Sequence, residues 1–250
     1  MKEDSLAADQ AEGLCDLHCH LLHGVDDGAR SLAESVEMAK ILVGLGFSVV
    51  APSPHALREF APREVAIARQ AELQRTLSES SIGLRLELNA ENALVDDQFM
   101  NTLGTADARL LGAGPYVLVE APYTSPVPAL LELIFRIKLK GITPLFAHPE
   151  RCAEFARKNR AAETVQAGAL LQLDVGALIG RYGRTSQRLA SALLDQGLYA
   201  VAATDLHSPR GAKKWLERAL GELERIAGSQ AFRQLFSTRA LQLLAGKPLV

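Results

Sequence analysis

The sequence predicts an α/β fold, built as a closed or nearly closed barrel of seven strand–helix units. Three observations predict it. Short runs rich in Val, Leu, Ile and Phe alternate with amphipathic segments from residue 14 to the C-terminus. Those runs mostly lack polar–apolar alternation, which suits strands covered on both faces. Finally, five of the six histidines fall where such a run ends. Strand ends from the whole length of a chain converge only if the strands lie side by side and parallel.

The strands are expected at 14–20, 47–52, 84–90, 115–121, 142–147, 169–175 and 199–204. After the first strand, Ser31 with Glu34 three residues on forms a capping-box pattern that opens a helix over Leu32 to Leu42. Gly44 and Gly46 stop it before the second strand. Further helices are expected near 62–79, 127–140, 159–167, 185–196 and 212–227, with a terminal helix near 231–245. Helix-long connections between parallel strands cross right-handedly. Between 92 and 112 no clear period holds, so an extra element is expected there. An open doubly wound sheet is the alternative, but no GxGxxG turn supports it. With no internal repeat and no low-complexity linker, residues 13–250 read as one domain behind a short polar leader, 1–12, expected to be disordered.

With 250 residues and 48% apolar content, the chain can bury a large core. The net charge is −2 with both signs mixed throughout, so neither nucleic acid nor an anionic membrane surface is expected as the main partner. Cys15, Cys19 and Cys152 are odd in number and form no CxxC pair. A reducing cytoplasm is therefore expected rather than a disulfide framework. The N-terminus has no apolar signal core, and no stretch approaches the roughly 18 apolar residues of a membrane span.

The chemistry sits at the strand ends. His18 and His20 are two apart on the first strand, so their side chains share a face. A single buried histidine is more often a hydrogen-bonded core residue than a ligand; two on one face before a loop point to a metal. Asp16 shares that face and is expected to orient a ligand from behind. Asp205 and His207 repeat the same spacing on the last strand, next to the first in a closed barrel. Thr204 and Asp205 would otherwise read as a helix cap. His55 follows Pro52 and Pro54, and His148 precedes Pro149; both read as rim residues held by stiff backbone. Glu91 and Glu120 each close an apolar run, where a carboxylate is costly unless paired or metal-bound. For Glu91 a place at a helix N-terminus competes. Asp26 and Asp27 before Gly28 read as an Asp-Gly turn, from which an aspartate can also ligate. A ring of imidazoles and carboxylates needs something cationic among them, and divalent metal ions fit.

Arg151, three residues after His148, is the candidate for contacting an anionic substrate, since a guanidinium matches phosphate in a fork. Arg210, three after His207, is the second candidate, weighed against a solvated surface charge. No cysteine has an arginine six residues on: Cys152 has Lys158, Cys15 has Leu21 and Cys19 has Val25. A thiolate phosphatase is thereby disfavoured, and no G-x-S-x-G elbow or Walker loop occurs.

Together, DLHCHLLHGVDDGARS, HPER and ATDLH resemble the motifs of the PHP (polymerase and histidinol phosphatase) superfamily. The nearest resemblance is to its bacterial tyrosine phosphatases of capsule and exopolysaccharide synthesis, from about residue 14 to the C-terminus. The resemblance implies a distorted (β/α)7 barrel of the PHP type, similar to a TIM barrel, holding up to three divalent ions, often manganese. Iron, zinc or cobalt also suit such ligands. It implies His18, His20, Asp27, His55, Glu91, Glu120, His148, Asp205 and His207 as metal ligands, and Arg151 as the phosphate-contacting arginine. Where the family tends to carry a basic run after the second-strand histidine, Ala56-Leu57-Arg58 keeps one arginine, and Arg210 lies one residue nearer the last histidine than the family's second arginine.

The implied function is metal-dependent hydrolysis of phosphotyrosine on protein, without a phospho-enzyme. The implied partner is the tyrosine-rich tail of a bacterial tyrosine kinase controlling polysaccharide export, with homo-oligomerisation left open. Two rival readings remain: a PHP phosphatase of a small ester such as histidinol phosphate, or a phosphodiesterase; and a non-catalytic module in which metals only hold the barrel. Substrate panels separate the first, and hydrolysis of any aryl phosphate eliminates the second.

Overall fold

The computed structural model describes residues 13–57, 59–95 and 97–249; the expected leader at 1–12 and Arg58 lie outside the described residues. Strand β1 (Leu14–Cys19) leads into α1 (Leu32–Gly44), whose cap Ser31 accepts from the Glu34 amide at 3.3 Å. The reciprocal half of a capping box is rerouted, because the Glu34 carboxylate takes the amide and guanidinium of Arg30 instead. Next come β2 (Phe47–Pro52), α2 (Arg63–Glu79), β3 (Arg85–Leu86), β4 (Asn92–Ala93), α3 (Asp97–Thr102) and β5 (Tyr116–Glu120). The second half holds α4 (Leu130–Leu139), β6 (Thr143–Ala147), α5 (Arg160–Gln166), β7 (Leu170–Asp174), α6 (Val175–Leu178) and α7 (Gly183–Asp195). Last are β8 (Val201–Ala203), α8 (Ala212–Arg233) and α9 (Arg239–Leu244). Gly228, at φ 81° and ψ 159°, interrupts α8 where the sequence leaves a gap between two helices.

Every ladder is parallel, as expected, but the strands form two sheets, β1-β2-β3 and β4-β5-β6-β7-β8. The expected strand at 84–90 splits into β3, which pairs with β2, and β4, which pairs with β5. Side chains explain the break. Gln74 of α2 takes the Leu84 carbonyl and the Leu86 amide, and Asn89 donates to the Leu17 carbonyl and the Ser53 hydroxyl. At both junctions the sheets meet through single parallel bridges, Cys19 with Leu206 and His55 with Glu91. Beside the first bridge, Asp16 accepts from the Thr204 amide (3.1 Å) and hydroxyl (2.5 Å), and from the His18 amide (3.2 Å). Asp16 thus ties β1 to the end of β8 through the amide and hydroxyl of Thr204, and bonds the His18 amide rather than an imidazole, which corrects its expected role. The expected strand at 199–204 shortens to β8, and the expected extra element at 92–112 is β4 with α3.

One buried core draws side chains from both sheets: Leu17 of β1, Ala51 of β2, Leu118 of β5, Leu145 of β6 and Val201 of β8 pack with Leu243 of α9. The larger core lies on the helix side of the strands. The C-terminal segment sits at the N-terminal ends of the strands. A Cβ on Gly114, just before β5, would stand 2.6 Å from the Gly246 Cα, so the close approach requires glycine. That leaves the carboxyl ends of the strands to the polar residues. Among the described residues, no helix is long and apolar enough to cross a membrane.

Candidate metal centre

His18 and His20 lie at the carboxyl end of β1, both 1% exposed, with their Nε2 atoms 3.2 Å apart. Each imidazole has its other nitrogen committed. His18 Nδ1 lies 2.9 Å from Gln172 Oε1 on β7, and His20 Nδ1 lies 2.8 Å from Asp26 Oδ2. Both partners accept, so each Nδ1 carries a hydrogen and each Nε2 is directed at the same spot. Glu91 Oε2 and Asp205 Oδ1 face that spot too, at 3.3–3.5 Å from the two Nε2 atoms.

The other predicted residues close the ring. His148 Nε2 is 3.0 Å from Glu91 Oε1 and 3.7 Å from Glu120 Oε1. His55 lies 3.1 Å from Glu91 and 3.4 Å from Asp27, and His207 lies 3.4 Å from the same Asp27 oxygen. Four overlapping groups arise, within each of which the donor atoms lie within 4.8 Å of one another: His20, Asp27, His55 and His207; His18, His20 and Asp205; His18, Glu91 and His148; His55, Glu91 and Glu120. All nine residues expected as ligands fall within these groups. Glu91 enters through its bridge with His55, not at a helix N-terminus.

The donor chemistry fits divalent ions. Glu120 Oε1, Asp205 Oδ1 and His148 Nδ1 are buried without a hydrogen-bond partner, a costly state that ligation by the first two would relieve. His148 and Asp205 hold left-handed backbone, at φ 33° and 49°. Non-glycine residues adopt it at a cost of roughly 1–3 kcal/mol, and it recurs at functional sites. Gly28 serves the DDG turn by close approach: a Cβ there would fall 2.2 Å from the His20 carbonyl oxygen.

Electrostatics within the ring is strongly coupled. Burial pulls the His18 imidazole down, yet Glu91 and Asp205 more than offset it and lift it to about 9. His55 is raised to about 10 against burial, by Asp27 and Glu91. Hydrogen bonds from His207 and His55 hold the Asp27 carboxyl far below the ordinary range. The protein has gathered anionic charge that calls for cations.

Arg151 lies at the edge of this ring. Its Nη1 is 2.5 Å from Asp205 Oδ2 and 3.3 Å from Asp174 Oδ2, and Nη2 donates to the Tyr123 hydroxyl at 3.0 Å. The guanidinium also stacks on the rings of Tyr182 (4.1 Å) and Tyr123 (4.9 Å). Arg210 is exposed, with its amide on the Ser208 hydroxyl at 3.3 Å. It lines a cleft of about 220 Å³ shared with Arg151, Tyr182, His207 and Trp215. Cys15, Cys19 and Cys152 are buried and form no disulfide, and burial pushes Cys19 and Cys152 well up, as expected of packing cysteines.

Sequence reasoning missed four contributors. Asp26 read as a turn residue, yet its side chain is buried, bonds His20 and accepts from the amides of Gly28 and His55. Gln172, two residues before the end of β7, carried no signal of its own. Asp174 closes LLQLD as Glu120 closes YVLVE, so the same strand-end rule would have found it. Tyr123 flanks Arg151 from the loop after β5, and no spacing announced it.

Parallel strands with a histidine–carboxylate ring at their carboxyl ends define an α/β protein of the metal-site class. The chain belongs to the CpsB/CapC family of capsular polysaccharide synthesis, whose model matches residues 14–245. It is 29% identical over 221 residues to the tyrosine-protein phosphatase YwqE of Bacillus subtilis (strain 168), covering 87% of this chain and 86% of that one. To the tyrosine-protein phosphatase CpsB of Streptococcus agalactiae serotype III (strain NEM316) it is 21% identical over 240 residues, covering 92% and 98%. A solved structure from work on YwqE of Bacillus subtilis and CpsB of Streptococcus pneumoniae, described as metal-dependent tyrosine phosphatases, superposes with a TM-score of 0.87 at 27% identity. That superposition covers 95% of this chain and 96% of the other.

Proposed function

We propose that this protein is a metal-dependent protein-tyrosine phosphatase acting in capsule or exopolysaccharide synthesis. The observation that carries the reading is the convergence of His18, His20, Asp27, His55, Glu91, Glu120, His148, Asp205 and His207 into four overlapping donor groups. These nine residues would hold up to three divalent ions, manganese first, with iron, zinc or cobalt as alternatives. The bridges at Cys19–Leu206 and His55–Glu91 support closure of the two sheets into one distorted (β/α)7 barrel, with residues 13–250 as a single domain.

When bound, such ions supply Lewis acidity toward phosphoryl oxygens and lower the pKa of water. The chain's own residues do the rest. Arg151 offers a planar fork to phosphoryl oxygens, held in place by Asp174 and Asp205 and stacked by Tyr182. Burial and the neighbouring Glu120 carboxylate push the Tyr123 phenol well up, so its hydroxyl stays protonated beside Arg151. A tyrosinate, from a phenol of pKa about 10, leaves readily without a strong general acid. The thiols do not suit a covalent route, because all three are buried and burial pushes Cys19 and Cys152 well up. The substrate is phosphotyrosine on protein, with the tyrosine-rich tail of a bacterial tyrosine kinase as the proposed partner; a flexible tail enters a rim cleft without refolding.

The test strips the purified protein of metal and assays phosphotyrosine peptide, phosphoserine peptide and histidinol phosphate with manganese added back. Restored activity favouring phosphotyrosine is expected. Restored activity favouring the small ester would overturn the substrate class, and no activity on any phosphate ester would overturn the enzyme.

A further inference from the structure

Among the described residues, four aromatic side chains stand near the histidines and Arg151 of the metal centre: Phe60, Tyr123, Tyr182 and Trp215. Three of them are already stacked by a neighbour. Phe60 lies on His55 with centroids 5.2 Å apart and planes 18° off parallel. The Arg151 guanidinium sits 4.1 Å from the Tyr182 centroid, and that of Arg181 sits 4.0 Å from the Trp215 centroid. All three rings are only partly exposed. Tyr123 is different. It is 44% exposed, and its neighbours meet it loosely, with Arg151 at 4.9 Å and the His148 ring at 5.7 Å and tilted by 44°.

The Tyr123 ring is nonetheless fixed in place. Its hydroxyl accepts from Arg151 Nη2 at 3.0 Å and lies beside the Glu120 carboxylate. A ring tethered at its far end has already lost freedom, so covering its open side costs little further order. Exposed aromatic surface alone is ordinary; the position decides here. Tyr123 touches the guanidinium that would take phosphoryl oxygens, and it stands over His148 of the donor ring. The phenyl ring of an aryl phosphate begins one oxygen away from phosphorus. It therefore falls within the roughly 4.5–7 Å at which aromatic rings pair. An alkyl ester brings no flat face to the same place.

We propose that Tyr123 is an aryl platform: its open side packs against the phenyl ring of the substrate phosphotyrosine and selects aryl over alkyl phosphate esters. The inference rests on the tyrosine phosphatase reading above and deepens it by naming the residue that recognises the ring. Tyr123 is thus a specificity residue, whose hydroxyl anchors the platform and whose ring does the selecting. Tyr182 stays with Arg151, and that guanidinium reads the phosphoryl oxygens.

The experiment reads binding rather than turnover, because an aryl ester also carries the better leaving group. Phenylphosphonate and ethylphosphonate, neither of them a hydrolysable ester, are titrated calorimetrically into manganese-loaded wild type, Y123F, Y123L and Y123A. Y123A should lower the phenyl-to-ethyl affinity ratio about tenfold. Y123F keeps the ring and should keep most of the ratio. Y123L keeps apolar bulk without a flat face, so it should lower the ratio even if Y123A disturbs the loop. A ratio unchanged in Y123L and Y123A overturns the platform alone. So does a loss in Y123F as complete as in Y123A, which would assign the effect to the hydroxyl and its hold on Arg151. No hydrolysis of p-nitrophenyl phosphate by the wild type would overturn the phosphatase reading and the platform with it.

Discussion

The two rims of the metal centre use the same residue type in opposite ways. On the Asp205 side, Arg151 is enclosed: two carboxylates bond it, Tyr123 accepts from it, and Tyr182 stacks on it. On the His55 side, Arg63 and Arg109 line a groove beside Glu64 and Asp107, and neither guanidinium forms an ion pair among the described residues. An arginine whose charge is cancelled by its own neighbours is already positioned, and it loses little order when a phosphoryl group arrives. The enclosed arrangement suits chemistry on a fixed group; the looser one leaves both signs of charge open to solvent.

The comparison is broken most severely at the ring both rims share. His18→Ala or Asp205→Ala removes a donor from two of the four groups or from one of them, respectively, and activity should fall by about 10³-fold or more. Elemental analysis should show metal lost with it. Full metal content in an inactive His18→Ala protein would mean that His18 is not a ligand.

Arg151→Gln tests the enclosed rim. It should lower kcat by about 10²-fold while metal content stays. Arg151→Lys should rescue little, because an ammonium offers no planar fork to phosphoryl oxygens and cannot reproduce the stack on Tyr182. Loss of metal in Arg151→Gln would reassign Arg151 to holding Asp205 rather than to contacting phosphate.

A smaller effect is expected at Asp26. Asp26→Asn keeps the turn but exchanges the carboxylate that bonds His20 Nδ1 at 2.8 Å. Metal affinity should drop about 10–100-fold, with activity recovered at excess manganese. Unchanged affinity would leave Asp26 as a turn residue only.

Eight of the nine ring residues were legible because strand ends are visible as apolar runs that stop; Asp27 read as an Asp-Gly turn and entered the set through the family resemblance. The meeting of the first and last strands was legible from their paired spacings, His18/His20 and Asp205/His207. Asp26 was hidden by its own good fit to an Asp-Gly turn: the local reading was correct, yet its side chain turns inward to His20. Gln172 was hidden because one amide in a buried strand has no pattern to stand in. The split of the strand at 84–90 was illegible because its cause is remote: Gln74 of α2 and Asn89 supply the hydrogen bonds that a continuing ladder would make. Arg63 and Arg109, 46 residues apart in sequence, meet only through the fold.

The smallest expected effect concerns how the groove side is anchored. His23, the one histidine outside the ring, lies 3.4 Å from Glu72 of α2, the helix that also carries Arg63 and Ile67. In the ring, carboxylates raise His18 and His55. At His23, burial lowers the imidazole below 6.5, Arg69 lowers it further, and Glu72 only partly compensates. The folded protein therefore binds this proton more weakly than the unfolded chain does. Above 6.5 the contribution of His23 to stability is fully present, and it is lost as the pH falls through the lowered folded value. His23→Gln keeps a polar group near Glu72 but cannot titrate. Thermal melts of the two proteins should run parallel above pH 7 or so, and the wild type should lose more than the variant on going toward about pH 5. Identical acid slopes would show that the ring alone sets the acid limit, and that α2 is held by its apolar face of Ala66, Leu73 and Leu77 rather than by the pair at His23.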